Sequence, residues 1–263
     1  MEKWLNNIHQ GKAEELIPQL PNESIDLVLT SPPYNVDLGN NKYNKQAYDV
    51  YQDDIDYGKY IDWLLAVFRL LKPKTVTGGR VCINIGDKQN GKIPTHSDII
   101  QFMTKDLHYL MKSTIIWQKN QIGNRTSWGS YQSPSNPSFP TPFEYILIFC
   151  NESQYKEGDK ENVTVTKEDF IRNSLATWSF ATESKMNKIY KHPAMFPIEL
   201  PRRLIQQLSY KGDVVLDIFS GMGTTCLAAA ISERRWIGFE LSEDYVTRSR
   251  ERIQQYYDQT RLF

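Results

Sequence analysis

The side chains best placed to do chemistry stand where apolar runs stop. Leu27-Val28-Leu29-Thr30-Ser31-Pro32-Pro33-Tyr34-Asn35 opens as a buried strand and is cut off by two consecutive prolines. Proline fixes its own φ and restricts the residue before it, so Ser31 to Tyr34 should form a stiff, extended turn at the strand's carboxyl end. Open α/β sheets bind their ligands at that end. The turn offers a hydroxyl on Ser31, a Pro32 carbonyl with no ladder partner and the aromatic face of Tyr34. Two acceptors and a plate suit a flat ring that carries an exocyclic amine. A bare Pro-Pro-Tyr would more simply be a loop with a packing tyrosine. The preceding strand and the flanking Ser31 and Asn35 favour the chemical reading.

A second stretch begins with the short buried strand Asp213-Val214-Val215-Leu216-Asp217. It continues as Ile218-Phe219-Ser220-Gly221-Met222-Gly223-Thr224-Thr225 and then as a helix through Leu227, Ala228 and Ala229. A Gly-x-Gly turn between strand and helix lets backbone approach a ligand closely at a helix N-terminus. This is not the dinucleotide fingerprint, because Thr224-Thr225-Cys226 stands where the third glycine would be. Arg235 to Phe239 reads as a further strand with Glu240 at its end. An acidic residue about twenty positions after such a turn suits a ribose diol, which donates two hydrogen bonds to one carboxylate. Leu241-Ser242-Glu243 also looks like a helix cap, so Glu240 could equally serve the start of the next helix; the two roles are compatible.

The elements that must carry these groups alternate along the chain. Leu5 to Ile17 predicts a short strand and a helix, and Ile25 to Thr30 a strand. Ile61, Leu64, Leu65, Phe68 and Leu71 follow helical spacing between Gly58 and Leu71, and Lys72-Pro73 stops that helix. Gly78-Gly79 turns into a strand at Arg80 to Ile85, a helix follows over Ser97 to Met111, and Lys112 to Trp117 and Glu144 to Cys150 are strands. Thr177 to Phe180 adds a short strand. This alternation predicts an α/β fold with a mostly parallel twisted sheet covered by helices on both faces. Two stretches break the pattern. Residues 37–56 read as a long polar loop beside the proposed site. Asn120 to Pro142 mixes Gly123, Gly129, Trp128, Tyr131 and Phe139 with prolines, serines and asparagines around Arg125. Such a segment either contacts bases and phosphates or packs its aromatics on the core.

Composition narrows the class. The 263 residues carry 31 basic and 31 acidic side chains, so any nucleic-acid partner must be met by a local basic strip. Lys112, Lys119 and Arg125, or Lys185, Lys188 and Lys191, are candidates for that strip or for an ordinary solvated surface. No apolar run approaches membrane-spanning length, and Met1-Glu2-Lys3-Trp4 does not begin a signal peptide. Cys82, Cys150 and Cys226 are too few and scattered for a disulfide framework or zinc site, and they predict buried thiols in a reducing cytoplasm.

Ser31-Pro32-Pro33-Tyr34 resembles the catalytic motif of S-adenosylmethionine-dependent DNA amino-methyltransferases, which methylate cytosine N4 or adenine N6. Asp217, Phe219, Gly221, Gly223, Thr224 and Thr225 match that family's cofactor motif in place, with Ser220 inside it. His192-Pro193-Ala194, Phe196 and Pro197, with Leu200 and Pro201, match a third motif that forms a wall of the methionine pocket. With the catalytic motif first and the cofactor motif near the C-terminus, the order resembles the β-class, and the likeness runs nearly end to end. The resemblance implies a class I, Rossmann-like methyltransferase domain over residues 1–263, with target recognition in residues 119–143 or on to 170. It implies S-adenosyl-L-methionine as cofactor and double-stranded DNA as substrate, met by Lys119, Arg125, Trp128 and Tyr131. Ser31 and the Pro32 carbonyl would accept from the amine of a flipped base, with Tyr34 stacked on it. With no cysteine in the turn, C5 methylation of cytosine is disfavoured. Ser-Pro-Pro-Tyr is more usual among cytosine-N4 enzymes, with adenine N6 the alternative and RNA or protein amines a more distant one. Family members often form homodimers and some accompany a restriction endonuclease; neither partner follows from these residues. The family often places an acid after the glycine of Gln10-Gly11 to contact the cofactor's adenine, and here that residue is Lys12.

Overall fold

A computed structural model describes residues 1–35, 50, 54–120, 129–183 and 195–260. The strands are β1 (Asn7–Gln10), β2 (Ile25–Thr30), β3 (Thr75–Ile85), β4 (Leu110–Lys119), β5 (Phe143–Cys150), β6 (Thr177–Phe180), β7 (Val214–Asp217) and β8 (Arg235–Glu240). They form one sheet in the order β1-β8-β7-β2-β3-β5-β4-β6. Five of the seven ladders are parallel, and β5 runs antiparallel to both β3 and β4. The sheet is mostly parallel, as predicted, with β5 the one reversed strand. The direction of β5 decides part of the site, as shown below.

Strand side chains alternate between two cores. Val28, Leu147, Phe149 and Leu216 pack with helix α2 (Tyr57–Leu71) and helix α3 (Thr95–Gln101) through Tyr60, Leu64, Phe68 and Ile99. Their neighbours Leu27, Leu29, Ile146, Ile148 and Val215 face the opposite way. There they meet helices α5 (Glu199–Leu208), α6 (Thr224–Ile231) and α7 (Glu243–Thr260). Period-two strands between two apolar layers need helices on both faces, as the pattern predicted. The remaining helices are α1 (Ala13–Leu16) and α4 (Lys167–Asn173). All three cysteines are buried. Among the described residues no helix is long and apolar enough to cross a membrane.

Two local expectations are corrected. The helix predicted over Ser97 to Met111 is α helix only from Thr95 to Gln101, then one wider turn over Phe102–Asp106. His108 takes a left-handed φ of 55°, and β4 begins at Leu110, earlier than the predicted Lys112. The apolar Leu110 and Met111 thus belong to a strand's alternation and not to a helix face. The turn predicted at Gly78-Gly79 is instead a distortion inside β3, where the pairing with β2 slips between Ile25 and Leu27. Gly78 sits at φ 73°, and a Cβ there would stand 2.1 Å from the Tyr155 carbonyl oxygen.

Candidate active site

The carboxyl ends of β2, β7 and β8 lie side by side at the middle of the sheet. Both sequence stretches therefore open on the same edge, and they border one cavity of about 490 Å³. That size lies within the range of roughly 300–1,000 Å³ found for small-molecule sites. Ser31, Pro32, Pro33 and Tyr34 form one wall; Phe219, Ser220, Gly221, Thr224 and Glu240 form another.

Asp217 joins the two walls from behind. It is buried, lies outside the cavity lining, and accepts hydrogen bonds from the Thr30 hydroxyl at 2.7 Å and from the Phe219 amide at 3.1 Å. Burial pushes its carboxyl up to about 6, against the opposing pull of those hydrogen bonds. The last residue of β2 and the first residues of the glycine turn are thus fixed to one carboxylate. Gly221 and Gly223 take φ of 49° and 69°, a left-handed turn that a side chain would strain, and Gly223 is the N-cap of α6. Gly223 and Thr225, like Asp217, support the loop without lining the cavity.

Glu240 ties the glycine turn to the start of the next helix. One carboxylate oxygen accepts from the Gly221 amide at 2.8 Å and the other from the Ser242 amide at 2.9 Å. The Ser242 hydroxyl in turn accepts from the Tyr245 amide at the start of α7. Burial raises the Glu240 carboxyl above its usual value while these amides oppose the shift. Each oxygen keeps lone-pair capacity for a hydroxyl donor, because an ionised carboxylate has about four acceptor positions. Trp63 and Phe219 line the same side with ring centroids 5.5 Å apart, and Met195, Met222 and Tyr245 add an apolar floor. A carboxylate with spare acceptor positions, two aromatic rings and two methionines fit a nucleoside with a sulfur-bearing tail. The departure at Lys12 has a counterpart here: Lys12 and Glu14 both line the cavity, and the Lys12 amine pairs with Glu15 at 3.7 Å.

On the Ser31 side the structure adds residues that the sequence did not single out. Asn84 in β3 and Glu144 in β5 line the cavity beside Ser31 and Tyr34. The Ser31 hydroxyl lies 3.1 Å from the Asn84 carbonyl and 3.2 Å from the Tyr34 hydroxyl. The Tyr34 hydroxyl donates to Glu144 Oε2 at 3.0 Å. Asn84 Nδ2 donates to both, at 2.8 Å to Tyr34 and 2.7 Å to Glu144. Lys119 closes the group by an ion pair with Glu144 Oε1. Because β5 is antiparallel, its first residues reach the edge where β2 and β3 end. The only local signal was an acid and a base at the ends of apolar strands.

Asn35 sets where the turn goes next. It takes a left-handed φ of 54°, which asparagine tolerates, and its Nδ2 donates to the Ile55 carbonyl at 2.7 Å. Of the remaining expected residues, Phe196 lines the cavity, while Tyr131 stands 65% exposed outside it. His192, Pro193, Ala194, Arg125, Trp128, Lys185, Lys188, Lys191 and most of the 37–56 loop fall outside the described residues.

Comparison with known proteins bears on this arrangement. Residues 25–251 match a family model described as DNA methylase, covering the N6 and N4 amino-methyltransferases. The chain is 38% identical over 190 residues to the type II methyltransferase M.MjaVI of Methanocaldococcus jannaschii, covering 72% of this chain and 93% of that protein. It is 32% identical over 255 residues to M.MjaI of the same organism, covering 86% and 84%. Among solved structures, a DNA modification methylase of Thermus thermophilus, TTHA0409, in complex with S-adenosyl-L-methionine superposes with a TM-score of 0.73. The two share 31% identity, with 95% of each chain covered.

Proposed function

Because this chain belongs to the N6/N4 family of S-adenosylmethionine-dependent DNA amino-methyltransferases, we propose that its acceptor is cytosine N4 and that Ser31 and the Pro32 carbonyl hold the reacting amine. The observation that carries the reading is the single cavity bordered by Ser31 and Tyr34 on one side and by Gly221 and Glu240 on the other. A donor and an acceptor of one transferred group must meet in one place. The cofactor supplies an electrophilic methyl carbon on a sulfonium.

The chain's own residues do the rest. The Ser31 hydroxyl and Pro32 carbonyl accept hydrogen bonds from the exocyclic N–H groups. This draws the nitrogen lone pair out of ring conjugation and points it at the methyl carbon. Tyr34 supplies the plate for a base turned out of the duplex. Glu240 takes the ribose diol of the cofactor, and the glycine turn lets it approach the backbone. No covalent intermediate with the protein is needed. Cytosine is preferred because a neutral hydroxyl at the first position of the motif resembles the cytosine-N4 enzymes.

Residues 119–143 are assigned to target recognition. In the described part, Gly129 and Pro137 form an isolated bridge, and Tyr131 and Phe139 stand 65% and 77% exposed. Large aromatics held out to solvent from a braced loop suit contact with bases.

The test is to incubate the protein with S-adenosylmethionine and mixed-sequence duplex DNA, digest to nucleosides and identify the product by mass spectrometry. N4-methylcytosine is the expected product. N6-methyladenine would keep the Ser31 assignment and overturn the choice of base.

A further inference from the structure

We infer that Glu144 receives the proton that the target amine loses on methylation, passed to it through Ser31 and Tyr34. The inference rests on the reading of Ser31 as an acceptor of the amine, and it holds for either base.

Two donor–acceptor steps are already in line. The Ser31 hydroxyl can donate to the Tyr34 hydroxyl at 3.2 Å, and the Tyr34 hydroxyl to Glu144 Oε2 at 3.0 Å. Asn84 fixes the direction. Its amide edge approaches both Tyr34 and Glu144, and a carboxylate only accepts, so Nδ2 and not Oδ1 must face them. With that N–H directed at the Tyr34 oxygen, the tyrosine's own hydrogen must point elsewhere, and Glu144 Oε2 is nearer than the Asn84 carbonyl at 3.4 Å. Ser31 has a second acceptor in the Asn84 carbonyl at 3.1 Å, but a peptide carbonyl cannot pass a proton on. Only the tyrosine branch ends on an ionisable group. Glu144 is 7% exposed, so its hydrogen-bond partners, rather than bulk water, set its orientation. Lys119 holds its other oxygen in an ion pair, with a side chain 24% exposed. A merely structural glutamate would not need a partner that is itself hydrogen-bonded to the motif serine.

The step balances. The amine nitrogen uses its lone pair to bond the methyl carbon, whose former bonding pair stays with sulfur. The nitrogen's proton passes to Ser31 Oγ as the serine's own proton moves to Tyr34 Oη, and the tyrosine's proton moves to Glu144 Oε2. Both hydroxyls end as they began, Glu144 ends as the neutral acid, and the methylated amine and thioether end uncharged. Asn84 acts as a positioning residue.

The test uses the full chain, S-adenosylmethionine and duplex DNA carrying the methylated site, with single-turnover rates measured beside the dissociation constants for DNA and cofactor. Single turnover is required because product release, and not chemistry, limits many enzymes. Tyr34→Phe keeps the stacking plate and breaks the chain; Glu144→Gln removes the final acceptor. Each is expected to slow methyl transfer about 10²-fold or more, the usual worth of a positioned base, with both dissociation constants unchanged. The double variant is expected to be no slower than either single one, and the solvent deuterium isotope effect of the wild type is expected to vanish in Tyr34→Phe. Losses that multiply in the double variant, a loss seen only in the dissociation constants, or wild-type rates in either single variant would overturn the relay. Tyr34→Phe decides the matter even where Glu144→Gln fails to fold. A wild type that methylates no DNA would overturn the Ser31 reading as well, whereas an active wild type with active variants would overturn the relay alone.

Discussion

Asp217→Asn isolates the energetic cost of the carboxylate that fastens the two walls together. Burial pushes that carboxyl up to about 6 from its ordinary value of 3.8. The folded chain therefore holds the proton more tightly than the unfolded chain. Stability from this group is fully present below about pH 4 and is lost as pH rises through about 6. At 1.36 kcal/mol per pH unit, the gap of about two units corresponds to about 3 kcal/mol lost by neutral pH. Roughly half of that loss is complete by pH 5, leaving about 1–2 kcal/mol between pH 5 and pH 8. Asparagine keeps an acceptor for the Thr30 hydroxyl and the Phe219 amide and carries no charge to bury. Its amide nitrogen cannot accept as the second carboxylate oxygen does, so the bonds that Asp217 shares with Thr225 must rearrange, at a cost of about 1–3 kcal/mol at every pH. The gap between variant and wild type at pH 5 is thus expected to shift in the variant's favour by about 1–2 kcal/mol at pH 8. Urea denaturation of both proteins at the two pH values measures the difference and cancels every other titrating group they share. A gap that stays constant from pH 5 to pH 8, or shifts in the wild type's favour, would refute the assignment of a raised carboxyl to Asp217.

Glu240→Gln removes the charge that two backbone amides and the proposed ribose diol share, and is expected to weaken S-adenosylmethionine binding roughly 10-fold to 100-fold by calorimetry, the worth of a hydrogen bond to a charged group. Unaltered affinity would leave Glu240 as a cap alone. Asn35→Val places a β-branched residue at a φ of 54° and deletes the bond to the Ile55 carbonyl. A loss of about 1–3 kcal/mol in thermal or urea denaturation is expected. Asn35→Gly, which keeps the backbone and loses only the bond, should lose less; equal losses would remove backbone strain from the account.

What was legible in the sequence is what is contiguous in it. Ser31 to Tyr34 and Asp217 to Thr225 each occupy a strand end and its following turn, so local stiffness and glycine spacing were enough to mark them. Glu240 needed only a count from the glycine turn to the next strand. The helix limits near 97–111 failed for a related reason. Leu107, Leu110 and Met111 fit a helical face and a strand's alternation equally well, and the left-handed backbone at His108 decides between them. Asn35 stood beside the motif as a mere flanking polar residue, and its φ explains why an asparagine stands there.

Glu144 was out of reach for a deeper reason. In a uniformly parallel sheet the first residue of a strand lies at the edge away from the ligand site, so an acid opening an apolar strand reads as a solvated end. The register pairs Ile85 with Tyr145 and Gln118 with Phe143, so the start of β5 meets the ends of β3 and β4. That one reversal carries Glu144 to Tyr34, brings Lys119 to Glu144, and turns the Pro-Pro turn from an isolated motif into the head of a hydrogen-bonded chain. Strand direction depends on how distant segments pair, and no window of the sequence around 144 contains it. The proposed acceptor side of the site is therefore built by topology, whereas the proposed cofactor side is built by motif. Substitutions in the glycine turn should act locally on cofactor binding. Changes that shift β5 against β3 should lose methyl transfer while the cofactor still binds, and comparing calorimetry with single-turnover rates in such variants separates the two halves.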